Sequence, residues 1–154
     1  MSAAPHLNLV DGAWCEAAQG ATFRAASEGS WPQSGAADIA RARAAARAAG
    51  AGWEREPRAR SEHVQAFLHA LAADTSLATV LTRHFELEPA EAVLHARVPA
   101  PAAPPVAVRG ERARPCWFAP DWRNLLAGTL PMLVRELLAA RTPIVVSDGR
   151  LPEV

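Results

Sequence analysis

Near the start of the chain, the apolar residues Leu7, Leu9 and Trp14 flank Asp11-Gly12. That dipeptide readily takes the positive φ of a tight turn, so Asn8 to Phe23 is expected to form a hairpin. Gln19-Gly20 ends its second strand, and Ala21 to Arg24 is a candidate third strand. Glu28 to Gly35 holds Gly, Ser, Pro and Trp and predicts a loop. From Ala36 to Gly50 the spacing turns helical. Ile39, Ala42, Ala46 and Ala49 form a shallow apolar stripe, Asp38 lies in the first turn, and Gly50 is expected to stop the helix. Trp53 follows as an anchor. Val64, Phe67, Leu68 and Leu71 predict a second helix over Ser61 to Ala73, with Ser61 as its N-cap. Ser76 to Phe85 predicts a third helix and Pro89 to Arg97 a short fourth. Val98 to Pro105 reads VPAPAAPP; this proline density excludes a helix or a central strand. Beyond it, Val106 to Val108 and Cys116 to Phe118 are short strand candidates. Asn124 to Arg141 reads as an apolar helix, and Pro143 to Val146 (PIVV) as a buried strand of the parallel type.

These elements divide the chain into a hairpin-plus-helix front (1–97), a proline-rich linker (98–105) and a small α/β tail (106–154). At 154 residues they are expected to form one compact domain. Charge changes the picture little: 16 basic residues balance 16 acidic ones. That balance argues against a nucleic-acid or anionic-membrane partner. All the basic residues are Arg; with no Lys, Schiff-base chemistry and a P-loop lysine drop out. Cys15 and Cys116 are too few for a disulfide framework. Met1 to Val10 lacks the pattern of a signal peptide, and no apolar run is long enough for a membrane span, so a cytoplasmic location is expected.

In order and motif, the elements resemble the N-terminal part of the aldehyde dehydrogenase superfamily. The family's "INGxW" hairpin reads LVDGAW here (Leu9 to Trp14), and its "TF" strand follows as Ala21-Thr22-Phe23. Its alanine-rich helix reads AADIARARAAARAAG (Ala36 to Gly50), with Trp53 behind it. ARSEHVQAFLHALAAD and LEPAEA (Leu87 to Ala92) match the next two segments. The tail, CWFAPDWRNLLAGTLPMLVRELLAARTPIVVSD, resembles the start of the cofactor-binding domain, although Pro120 and Trp122 are out of register with the family's "PW" turn. The resemblance implies an α/β fold: a hairpin and helical layer, followed by a short parallel-strand fragment of an aldehyde dehydrogenase-like cofactor domain.

It also implies where chemistry is missing. Asn124 falls on the family's oxyanion-hole Asn, while Ser147 replaces the lysine that contacts the cofactor ribose. Arg141-Thr142 replace small residues beside the cofactor, and AASEGSWPQ (Ala25 to Gln33) replaces the family's "NPATGE" loop. The family's catalytic Cys, general-base Glu and glycine-rich turn lie beyond the last residue here. Asn124 is read as a cap for the helix that follows it, in preference to an oxyanion donor without a nucleophile. Cys116, between Pro115 and Trp117, reads as a small core hydrophobe. His6, His63, His69, His84 and His95 show no i, i+4 pair, so no metal site is expected. Arg41, Arg43 and Arg47 read as a solvated face, and Arg109, Arg112 and Arg114 as part of a turn without a phosphate loop. Of Trp14, Trp31, Trp53, Trp117 and Trp122, most are expected in the core or as caps; Trp is also enriched at interface hot spots, so one or two at the surface would be informative.

The expected function is that of a non-catalytic, aldehyde dehydrogenase-like interaction or assembly subunit. Its partner is either a second copy or a full-length aldehyde dehydrogenase. No cofactor is expected for the chain alone, with NAD(P) bound by any full-length partner. The alternatives are a component of a split NAD(P)-dependent aldehyde oxidoreductase and a repurposed small binding module.

Overall fold

The computed structural model describes residues 6–24, 29–76, 78–79, 82, 113–119 and 128–146. Two short antiparallel ribbons open the chain. β1 (Asn8–Val10) pairs with β2 (Ala13–Cys15) in the register Val10↔Ala13 and Leu9↔Trp14. Asp11 and Gly12 both take positive φ, 54° and 73°. Two left-handed residues form the tight turn whose twist matches the strands, which is what the Asp-Gly dipeptide predicts. β3 (Thr22–Phe23) pairs with β4 (Trp31–Pro32). Trp31 and Pro32 therefore leave the expected loop and become a strand. Their partners, Phe23 and Thr22, lie on the far side of an intervening segment, so nothing local announces the pairing. The imidazole of His6 stacks on the Trp31 ring, with centroids 3.5 Å apart, and closes the ribbons together.

Helix α1 runs from Ala36 to Arg55 and passes through Gly50 rather than stopping there. Gly50 is buried against Ala113, where a Cβ would come within 3.0 Å of the Ala113 Cβ. The glycine serves a close approach between segments, and this outweighs its helix-breaking tendency. Trp53 thus lies inside α1. Helix α2 begins at Pro57, not Ser61, and runs to Ala73. Proline at the first turn needs no N–H partner there. Ser61 is no cap; its hydroxyl donates to the Pro57 carbonyl one turn back.

In the tail, β5 (Arg114–Phe118), α3 (Leu130–Leu138) and β6 (Arg141–Val145) form a strand–helix–strand unit. β5 and β6 pair in parallel, in register from Arg114↔Arg141 to Phe118↔Val145. Arg114 is accordingly a strand residue, and Arg141 opens β6 instead of ending the helix. α3 ends earlier because Ala140 adopts a left-handed conformation (φ 60°) that turns the chain into the strand.

Val64 and Leu68 of α2 meet Leu130 of α3 at the centre of the core, with Leu71, Val134, Leu137 and Leu138 around them. α1 lies against both β5 and β6, so the chain's own front helix helps cover the parallel pair. The fold class is α/β. The described residues of the expected third helix, Ser76, Ala78, Thr79 and Thr82, are helical. The expected helix over Pro89 to Arg97, the proline-rich linker and the Val106 to Val108 strand lie outside the described residues. So does the start of the helix expected from Asn124.

Candidate functional site

In a parallel sheet both chain exits fall at one end, where ligands of α/β folds commonly bind. β5 leaves at Phe118 and β6 at Val145. Asn124 and Ser147 follow those two exits in the sequence, and both lie outside the described residues. So do Trp122, Arg109, Arg112, His84 and His95.

What the structure does show at the ribbon is the Cys116 thiol, half-buried in the middle of β5. Burial pushes the thiol above its usual range, the Glu136 carboxylate adds to this, and Arg141 partly opposes it. Such a thiol stays protonated at neutral pH, whereas a nucleophile needs thiolate. Glu136 is held instead by Arg141, whose Nε approaches its Oε2 at 2.9 Å. Cys15 donates to the Asn8 carbonyl at 3.4 Å in the front hairpin. Among the described residues, no hydrogen bond joins either cysteine to a histidine, and no three His, Cys, Asp or Glu side chains gather as a metal site would require.

Two buried charges organise the scaffold. Asp38, 5% exposed, accepts from the Gly35 N–H (3.0 Å), the Ala18 N–H (2.9 Å) and the Arg41 guanidinium (3.0 Å). It thus closes the first turn of α1 and ties it to the chain leaving the hairpin. The Gly35 hydrogen bond leads in holding its carboxyl below the ordinary range; the Ala18 bond and Arg41 assist against the effect of burial. Arg60, 1% exposed, donates to the Trp53 and Glu54 carbonyls at the end of α1. The helix-dipole role of Asp38 is evident in the sequence; its grip on Ala18 is not. Arg60 escapes a charge-based reading altogether. Its signal is position, since it shares one face of α2 with Val64 and Leu68 at spacings of four residues.

Trp53 anchors as expected, by donating from Nε1 to the Leu137 carbonyl (3.0 Å) and joining α1 to α3. Two other tryptophans are at the surface. Trp14 is 67% exposed beside Leu9, its cross-strand partner, at 60%, and Trp117 on β5 is 53% exposed. Met132, Val145 and Val146 are exposed apolar side chains of the tail.

No protein-family model matches the sequence, and neither does any curated protein. Among solved structures, the chain is similar to an NAD-dependent aldehyde dehydrogenase from Sinorhizobium meliloti. The TM-score is 0.61 and the sequence identity 17%, over 97% of this chain and 36% of that one. The fold is distantly aldehyde dehydrogenase-like. The chain spans about a third of the length of the enzyme it resembles. No helix among the described residues is long and apolar enough to cross a membrane.

Proposed function

We propose that these residues form an aldehyde dehydrogenase-like module that acts by assembly, with a second copy or with a full-length aldehyde dehydrogenase, and does not oxidise aldehydes by itself. The observation that carries the aldehyde dehydrogenase-like part of this reading is the fold likeness, which takes in 97% of this chain. The shared part comprises a helical layer and one strand–helix–strand unit. Among the described residues the parallel sheet has two strands, and sheets of this class normally gain stability from further strands and from helices on both faces. Exposed Leu9 and Trp14 on the front hairpin and Trp117 on β5 supply apolar and aromatic contact area of the kind enriched at interfaces. Any NAD(P) would belong to the full-length partner.

Two assays test this. The purified chain, given an aldehyde with NAD or NADP, is expected to produce no cofactor reduction; robust reduction overturns the reading. Native mass measurement, with and without a full-length aldehyde dehydrogenase, is expected to show either a defined homo-oligomer or a fixed-ratio complex. A monomer that ignores the enzyme removes the assembly role. If a complex forms and Asn124→Ala abolishes its activity while leaving it assembled, the chain is instead part of a split active site.

A further inference from the structure

The hydrogen-bond parity of the parallel ribbon reveals how its edges are built. The Val146 N–H donates to the Phe118 carbonyl at 2.9 Å. Combined with the register Phe118↔Val145, this bond fixes which way each residue's backbone groups point. Arg114, Cys116 and Phe118 address β6, and Thr142, Ile144 and Val146 address β5. The backbone groups of Ala113, Pro115 and Trp117 therefore face the outer edge of β5. Those of Arg141, Pro143 and Val145 face the outer edge of β6.

Each outer row has a proline at its centre. Neither Pro115 nor Pro143 has an N–H, and each puts a pyrrolidine ring where an arriving strand would seek a donor. On the β5 side the neighbouring donor is also engaged, because the Ala113 N–H donates to the Glu54 carboxylate at 3.1 Å. Unblocked strand edges are templates for pairing with other chains, and proline is one of the devices that blunts them. One proline alone would leave the other edge open.

We infer that the β5–β6 ribbon is closed to strand addition on both sides, so that a partner of this module is recognised through side chains and not by extending the sheet. The inference holds equally for a monomer and for an assembled module, so its failure and that of the assembly reading are separable.

Amide hydrogen exchange on the full chain tests it directly. The outward Trp117 and Val145 amides are expected to exchange at least about tenfold faster than the inward Phe118, Ile144 and Val146 amides. Equal protection of Trp117 or Val145 would show that another strand pairs there and overturns the inference. As a second measurement, the Pro115→Val, Pro143→Val double variant restores both outward donors. It is expected to gain a concentration-dependent mass beyond that of the parent. A folded double variant whose mass follows the parent at every concentration also overturns the inference; if the variant does not fold, the exchange pattern of the parent decides.

Discussion

Asp38 shows how one residue links a local rule to tertiary structure. An acidic side chain in the first turn of a helix is favourable anywhere, through the dipole and the free N–H groups. Here the same carboxylate also holds the Ala18 N–H and the Arg41 guanidinium. Because its folded pKa lies below the unfolded value of 3.8, its contribution is fully present above that value and is lost as pH falls through the lower, folded one. Asp38→Asn is expected to lower stability by about 1–2 kcal/mol at neutral pH. It should also flatten the acid limb of the stability curve. Urea unfolding across the acid range measures both. Arg60 is the counterpart at the other end of α1. Arg60→Met keeps the apolar stem but removes the donors from two carbonyls, and is expected to destabilise by about 2 kcal/mol. A loss near zero would mean that the carbonyls find other donors.

At the scale of elements, two glycines in the same helix carry opposite expectations. Gly52 has open space where a Cβ would stand, so Gly52→Ala should stabilise by about 1 kcal/mol through helix propensity. Gly50 faces the Ala113 Cβ at 3.0 Å, a group fixed to backbone that cannot swing aside. The strain at that contact is expected to outweigh the propensity gain, so Gly50→Ala should lower the melting temperature where Gly52→Ala raises it. Thermal unfolding of the two single variants decides the matter. This is also why Gly50 misleads a linear reading. A glycine after an alanine-rich stripe has the local pattern of a helix end, and only the approach of Ala113, just before β5, gives it another use. Pro57 and Ser61 show the reverse misreading. Serine is a common cap, but a proline four residues earlier already satisfies the start of the helix, and the hydroxyl turns to a carbonyl within it.

For the whole molecule, the described residues join the front to the tail through helix packing and one long-range hydrogen bond. Val64 and Leu68 meet Leu130, Trp53 reaches Leu137, and α1 rests on the β5–β6 pair. The assembly proposed above would use surfaces outside that joint, at Leu9 and Trp14 or around Trp117. The sequence by itself determined the elements whose causes are local. The Asp11-Gly12 turn, the helical stripes of α1 and α2, and the strands at Cys116 to Phe118 and Pro143 to Val145 follow from φ preference and apolar spacing over a few residues. Their order indicates an α/β fold, and their resemblance to the aldehyde dehydrogenase superfamily agrees with the distant fold likeness. The tertiary structure alone decided what depends on groups far apart in the chain. It made Trp31-Pro32 a strand, carried α1 through Gly50, buried Arg60 beneath the end of α1 and set Pro115 and Pro143 on the outer edges. The physical reason is that a backbone group or buried charge is satisfied by whatever the fold brings to it, and no short window of residues contains that partner.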